Sequence, residues 1–444
     1  MANTFLAEIS PPGETGVVVI GGGIAGCASA YYLAKRGVRV VLLEKGRLAG
    51  EQSSRAWGFV RQQNRHPAEL PLMVAANKIW RGLEDELGAD LEWTQGGMLA
   101  LARDGEELAH YEQRARLEQA AGADSRMIAP AQVRSLLPQL EQPVLGALHT
   151  PSDGHAHPEK STLALAAAAG RMGADVIEHC AAERLVIQGG RVTGVLTGRG
   201  EIKADAVLCA AGVHATKICR MAGLELPVRS VRSTACATAP IPHFTRLAVR
   251  GLELAFRQTR GGNLILGRVS DGSADYDITL EAFRHVRWFL PNFFKNREML
   301  RLHLGRPLLA DLARALPGAP AWFRARRHPF AHTVDMEPRP NLRTAEFNRR
   351  AFERLFPSLG EIRIERVWAG VIDTLPDLIP VLGATEVEGF YLATGFSGHG
   401  FAMGPIVGQL MAALITEGAA PFDLYPFRFS RFREGKIGKA RVLR

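Results

Sequence analysis

Gly21, Gly23 and Gly26 stand as G-x-G-x-x-G, and Glu44 follows 18 residues after the last of them. These residue types at this spacing suit the binding of a dinucleotide. Gly21 permits a tight turn, Gly23 lets a pyrophosphate approach the backbone, and Gly26 lets a helix pack closely on a sheet. A helix opening at Ile24 and Ala25 offers unpaired N–H groups to the phosphates. A carboxylate at Glu44 accepts hydrogen bonds from a ribose. The elements that must hold these groups are legible around them. Residues 17–20 are a short apolar run rich in β-branched side chains, as a buried parallel strand should be. The dozen residues that follow the glycines form a helix, and residues 38–43 make a second apolar strand ending on Glu44.

A second glycine-rich turn points to FAD rather than NAD. Residues 389–415 spell a strand (390–394), a turn with Gly395, Gly398, His399 and Gly400, and then a helix. That turn brings a second helix N-terminus to the ligand, suited to the negative charge on a reduced flavin's pyrimidine edge. Residues 204–212 form a third short apolar strand that exits through Ala211 and Gly212.

Composition sets the bounds. The chain has 444 residues, 47% hydrophobic and 22% charged, enough for two or three domains with full cores. No run reaches the ~18–20 uninterrupted apolar residues of a membrane span. The first sixteen residues hold Glu8 and Glu14, no Lys or Arg, and a Pro-Pro-Gly break, which is not the pattern of a signal peptide. Cys27, Cys180, Cys209, Cys219 and Cys236 show no metal spacing, and an odd count in this pattern fits a reducing compartment. A cytoplasmic location is expected, with a peripheral contact to the inner membrane as its variant.

The formal net charge of +9 is unevenly placed. Residues 281–331 hold ten Lys or Arg against three acids, and residues 430–444 hold six against one. These segments carry +7 and +5, so the rest of the chain is at −3. Charge confined to an insert and a tail makes a poor nucleic-acid groove, and no nucleic-acid partner is expected. The internal segment mixes Phe283, Trp288, Phe289, Leu290, Phe293 and Phe294 with its cations. Such a mixture suits a membrane surface or a partner subunit, and equally a plain helical insert.

The chain resembles the D-amino-acid oxidase superfamily of flavoproteins. Within it, the chain is most similar to the bacterial L-amino acid deaminases and D-amino acid dehydrogenase-like oxidoreductases. The residues that carry the resemblance are Glu44-Lys45-Gly46, then Ala49-Gly50-Glu51-Gln52-Ser53-Ser54-Arg55, Cys180-Ala181-Ala182 and Ala211-Gly212-Val213. It resumes at Trp368-Ala369-Gly370, Pro376-Asp377, Pro380 and Ala393-Thr394-Gly395. Unlike the deaminases, the chain is expected to have no N-terminal membrane anchor, and its turn at 395–400 is closer to the dehydrogenase branch.

The resemblance implies an α/β fold with a Rossmann-type FAD-binding domain at 1–85, 150–225 and 365–444. A mixed-sheet α+β substrate domain would take 86–149 and 226–364, with a helical insertion at about 281–331. Independently, residues 252–257 alternate in polarity, Arg260-Gly261-Gly262-Asn263 suits a turn, and residues 264–269 return as the second strand of a hairpin. FAD would be bound non-covalently by Gly21, Gly23, Ile24, Ala25, Gly26, Glu44, Lys45, Gln52, Ser53, Ser54 and Gly58. Ala182, Ala211, Gly212, Gly395, Gly398, His399 and Gly400 complete that expected set.

The implied reaction is hydride transfer from the α-carbon of an amino or imino acid to flavin, giving an imine that hydrolyses to a keto acid and ammonia. It needs a cation for the carboxylate, best met by the fork of Arg. The superfamily arginine two positions after W-A-G is Ile372 here, and Arg268 matches the arginine that holds the carboxylate in the deaminases. Arg257 and Arg232 are held in reserve. Trp57 is expected by the flavin face, with Gly58 allowing close approach and Arg61, Gln62 and Gln63 as polar lining. Asp373 is either structural or a contact to the substrate amine. The electron acceptor would be O2 or a membrane quinone. The alternative is a flavin subunit of a multisubunit opine, imino acid or amine dehydrogenase that passes electrons to a partner.

Overall fold

A computed structural model gives the fold and describes residues 11–315 and 336–438. Residues 316–331 of the basic stretch and 439–444 of the tail lie outside the described residues. The elements that build the site begin with β1 (Glu14–Ile20), α1 (Ile24–Lys35), β2 (Val40–Leu43) and the single turn α2 (Gln52–Arg55). Next come β3 (Asp175–Ile177), β4 (Gly200–Cys209), β5 (Arg229–Thr238), β6 (Ala248–Gly251), β7 (Leu254–Gln258) and β8 (Leu264–Arg268). The last are α3 (Leu342–Leu355), β9 (Ile364–Thr374), β10 (Val381–Ala384), β11 (Phe390–Thr394) and α4 (Gly400–Glu417).

The first sheet has a main path β10-β11-β4-β1-β2-β3, parallel except for β10, and an antiparallel extension off β4 through Arg191–Thr197 and Ala182–Gln188. Val18, Val19, Val41 and Leu42 are wholly buried, because helices or loops cover both faces. That is why these strands read as continuous apolar runs instead of alternating ones. On one face α1 crosses α4 at close range. A Cβ on Gly404 would lie 2.4 Å from Ile24, and one on Gly408 would lie 2.6 Å from the backbone of Ala28. The two glycines let the helices meet and bring both N-termini to the same edge of the sheet. By length and composition α4 could cross a membrane, yet 67% of it is buried, and it serves here as a core helix.

The second sheet joins β5 to β9 with further strands at Met98–Ala102, Arg126–Ile128 and Gly146–Thr150, among others. Its outer face carries Leu254, Phe256, Leu264 and Leu266 against Phe352 and Phe356, which come from α3 and the residue after it. The hairpin forms as expected, with Leu254 opposite Arg268 and Gln258 opposite Leu264. It starts two residues late, since Leu252 and Glu253 sit at φ 50° and 76° and make the turn that precedes β7. β9 pairs with β5 from Arg229–Thr374 to Thr238–Ile364. A domain boundary at 364/365 therefore cuts a strand whose hydrogen bonds belong to the second sheet.

The basic stretch is helical at Val286–Asn296 and Arg306–Ala315, with a short strand, Leu300–His303, between them. Its aromatic residues divide. Trp288 packs 6.2 Å from Phe432, and the Arg229 guanidinium lies 4.9 Å from the Phe289 ring centroid. Phe283 and Phe294 are 63% and 60% exposed.

Candidate active site

A cavity of about 450 Å³ lies between the first sheet's glycine turns and the inner face of the second sheet. At its dinucleotide end each glycine has a separate reason. Gly21 sits at φ 115°, and a Cβ there would lie 2.6 Å from the Ala210 carbonyl oxygen. A Cβ on Gly26 would lie 1.9 Å from the Gly21 oxygen, so α1 rests directly on the turn. A Cβ on Gly23 would meet only Ser53 Oγ, at 3.2 Å, so its backbone is open to a ligand. Ser53 Oγ accepts from Ile24 N–H at 2.9 Å, at the start of α1. Glu44 accepts from the N–H groups of Gly22 and Gly46, both at 2.7 Å, and lines the cavity. Ile24, Ala25, Lys45, Ala182, Ala211, Gly212, Gly398, His399 and Gly400 lie on the same walls, whereas Gly395, expected among them, is off the cavity and gives its N–H to Asp373. Two helix N-termini, an open glycine backbone and a carboxylate at the ribose position form a cradle that fits FAD.

Two residues expected to hold the cofactor act mainly on the protein. Gln52 accepts from Val213 N–H at 2.9 Å and donates to Asp373 Oδ1 at 3.0 Å, which ties α2 to the Gly212 loop and the end of β9. Ser54 donates to the Glu51 carbonyl at 3.1 Å and is not on the cavity wall. Asp373 is likewise structural, since its second oxygen accepts from Gly395 N–H at 2.9 Å. Burial pushes its carboxyl up to about 6, against the hydrogen bond from Gln52.

Of the residues expected to touch substrate, Trp57 keeps its place on the cavity wall. Its ring lies on Gly267, where a Cβ would come within 2.4 Å. Gly58, at φ 87°, also lines the cavity, but its missing Cβ makes room for Arg257, whose Nη2 would be 2.7 Å away. Arg257 is buried off the cavity and donates to the Trp57 carbonyl at 2.6 Å, so it is a strut and not an anchor. Gln62 is also a buried strut, donating to Ser152 and Asp153 at 2.8 and 2.9 Å, and Gln63 donates to Met98, Leu148 and Thr150. Arg232 pairs with Asp277 at 2.8 Å, away from the cavity.

Arg268 borders the cavity, but its side chain is engaged elsewhere. It shares strand parity with Leu264 and Leu266, which face α3, because side chains alternate along a strand. Its guanidinium stacks 3.9 Å from the Phe347 ring centroid and donates to Ser270 at 3.0 Å. The expected carboxylate anchor is thus turned toward the helix-covered side of the sheet.

Other cations line the cavity instead. Arg61, Arg65 and Arg250 all border it, with Glu69 and His399 beside them. Burial, then the charges of Arg65 and Arg250, lower the Arg61 pKa, and burial pushes Arg65 down to about 10. His399 Nδ1 lies 3.3 Å from Glu69 Oε1. Burial, then Arg65, push His399 down to about 4 against the pull of Glu69, so the imidazole is neutral. Burial raises the Glu69 carboxyl, but His399 and Arg65 prevail and hold it below its ordinary value. Sequence reasoning passed over Arg65, Glu69 and Arg250. The local signal for the first two was a dense polar run, Arg61 to Glu69, directly after a glycine turn. Arg250 left none, because it depends on strand register: it faces Ala255 across β6–β7, and Ala255 faces Gly267 under Trp57.

The model of the FAD dependent oxidoreductase family matches residues 16–414. The chain belongs to that family. FAD is accordingly its cofactor, and the chain is an oxidoreductase. Among similar family members, sarcosine oxidase subunit beta of Arthrobacter sp is 26% identical, over 97% of this chain and 94% of that protein. Mitochondrial sarcosine dehydrogenase of Mus musculus is 27% identical over 98% of this chain, which spans only 43% of that protein. The fold matches L-amino acid deaminase from Proteus myxofaciens with a TM-score of 0.89 at 24% identity, covering 96% and 95% of the two chains. L-proline dehydrogenase from P.horikoshii gives 0.78 at 26% identity, covering 97% and 100%.

The FAD should be released intact on acid denaturation. The five cysteines are buried, and only Cys180 among them borders the cavity. Its thiol is pushed up by burial, which disfavours the thiolate that covalent attachment would need. Precipitated protein should be colourless and the supernatant should hold all the flavin. Flavin absorbance that stays with the pellet would contradict this.

Proposed function

We propose that this chain oxidises an α-amino or imino acid at the carbon bearing nitrogen, giving an imine that water hydrolyses to a keto acid and ammonia or an amine. FAD, when bound, supplies the hydride acceptor. The observation that carries the reading is a single cavity that runs from the dinucleotide cradle to a basic wall. Arg61 and Arg65 supply the positive field for a carboxylate there. Trp57 on Gly267 gives the apolar surface over which the substrate lies. With Nδ1–H directed to Glu69, neutral His399 keeps Nε2 as an acceptor for the substrate amine. The related sarcosine oxidase and sarcosine dehydrogenase, and the amino acid deaminase fold, support the same substrate class.

Anaerobic mixing of the purified, FAD-loaded protein with a panel of amino and imino acids tests the reading, with flavin bleaching as the signal. At least one should bleach it, and simple amines without a carboxylate should be poorer. Better reduction by simple amines would remove the assignment. Arg268→Leu should shift apparent affinity by less than about 3-fold, because that guanidinium is held on Phe347. Arg65→Leu should weaken it by about 30-fold or more, the cost of losing a charge-assisted pair in a dry site.

A second reading, a flavin subunit that hands electrons to a partner, is supported by the similarity to sarcosine oxidase subunit beta. Exposed Phe283, Phe294, Leu304 and Leu309 on the basic stretch offer a contact surface of the right character. Purification of tagged chain from its own cells separates the two, since only the second yields stoichiometric companion subunits.

A further inference from the structure

We infer that Met299, carried by the basic insert, closes the far end of the substrate pocket and sets the size of the apolar group that the substrate bears. The inference rests on the amino acid reading above and narrows it.

Strand register traces the wall. A Cβ on Gly398 would lie 3.6 Å from Ile372, so Ile372 stands beside the turn that holds His399. Ile372 pairs with Val231 across β9 and β5. Two residues further along β5, Ser233 has Gly370 on one side and Ala274 on the other. Side chains alternate along a strand, so Ile372, Val231, Ser233 and Ala274 share one face, and all four border the cavity. Ala274 pairs with Leu300, and Met299, directly before Leu300, borders the cavity as well. On its other side the Glu298 carbonyl accepts from Gly272 N–H at 2.8 Å. The main chain therefore pins Met299 from both sides. Among the described residues of the basic stretch, it alone lines the cavity.

This end of the cavity offers a substrate mainly hydrocarbon. The Ser233 hydroxyl donates to the Ser273 carbonyl at 3.5 Å. Arg268 lies on Phe347, Arg55 reaches Glu337 at 3.4 Å, and Asp373 and Asp377 are tied to Gln52 and Arg431. Strand spacing and rise put Ala274 roughly 12 Å from Ile372. A methyl group on a substrate whose carboxylate is at Arg65 stops well short of Met299. A group of about four carbons or more spans the gap and leaves no water in it. Methionine is unbranched and polarisable, so it adapts to groups of different shape. The shared chemistry is an amino acid with a bulky hydrocarbon group, borne on the reacting carbon or on the nitrogen.

Matched ligands on the FAD-loaded full chain test this. Glycine is set against both enantiomers of leucine and of aspartate. N-methylglycine is set against N-(2-methylpropyl)glycine, which separates a group on nitrogen from one on carbon. Anaerobic bleaching gives apparent affinities for reducing ligands. Perturbation of the flavin spectrum by 4-methylpentanoate against acetate gives a second readout that needs no turnover. In at least one amino acid pair the larger apolar ligand should bind about 10-fold or more tightly, as should 4-methylpentanoate over acetate. Met299→Trp, which fills the gap, should bring that ratio to about one, and Met299→Leu, which keeps the volume, should preserve it. Each ratio is taken within one protein of measured FAD content, so a lower yield of folded variant cancels. Equal affinity for small and large ligands, or tightest binding of aspartate, would overturn the inference and leave the amino acid reading standing. A ratio that survives Met299→Trp would also overturn it. Selective binding of 4-methylpentanoate that Met299→Trp abolishes, with no bleaching by any amino acid, would support the Met299 wall and remove the amino acid reading.

Discussion

Gly26→Ala should yield a protein that carries less than about a tenth of its FAD, because one methyl group here has nowhere to go. Its carbon would lie 1.9 Å from the Gly21 carbonyl oxygen, a backbone atom of the phosphate turn itself. Relief requires α1 to lift off β1 or the turn to open, and either movement displaces the N–H groups that face the pyrophosphate. Overpacking usually costs about 1–3 kcal/mol, and more where the obstacle is backbone. Gly82→Ala is the matching control. Gly82 lies within the helix Leu70–Leu87 with nothing within 4 Å of an added Cβ, so the same change should be neutral or stabilising by up to about 1 kcal/mol. Flavin-to-protein absorbance ratios and melting curves of both variants check this. Normal FAD content in Gly26→Ala would mean that the helix does not depend on contact with the turn.

Arg431→Met should cost about 3–5 kcal/mol, the scale for leaving a buried charge unpaired. Arg431 is 1% exposed and donates to Asp377 at 2.8 and 3.2 Å, to the Ile379 carbonyl at 2.6 Å and to the Arg428 carbonyl at 2.9 Å. Asp377 is as deeply buried and borders the cofactor cavity. Without its partner that carboxylate would be stranded. The double variant Arg431→Met with Asp377→Asn should regain part of the loss, since no charge is then left over. Thermal unfolding at saturating FAD measures both. Equal losses in the single and double variants would show that the packing of the arginine stem matters and the charge pair does not.

The cofactor half of the molecule was legible in the sequence because its determinants are local. Gly21, Gly23, Gly26 and Glu44 lie within one strand-helix-strand unit, and buried parallel strands announce themselves as apolar runs. The substrate half was not, because it is decided by which face of a strand a side chain takes. Arg268 and Gly267 are neighbours in sequence, yet one lies on Phe347 and the other under Trp57. A hairpin can be recognised from alternation and a turn without revealing which of its faces looks inward. Arg257 failed for a related reason: it sits near the right place and is consumed by the Trp57 carbonyl. Ser54 and Gln62 read in the sequence as polar groups next to a ligand, and here they hold the loop instead. Arg250 could be found only by following register across two strands.

The crossing of α1 and α4 has a consequence for how the protein is made. Gly404 and Gly408 seat α4 on Ile24 and Ala28 of α1, and Arg36, at the C-terminal cap of α1, reaches Thr416 of α4 across 380 residues of sequence. During synthesis the phosphate turn and its helix emerge early, with an apolar flank that has no partner until α4 leaves the ribosome. At ~5–20 residues per second that interval lasts on the order of tens of seconds. The flavin cradle is therefore among the last parts of the chain to close, and vitamin supply and chaperone capacity should limit yield more than the intrinsic stability of either sheet.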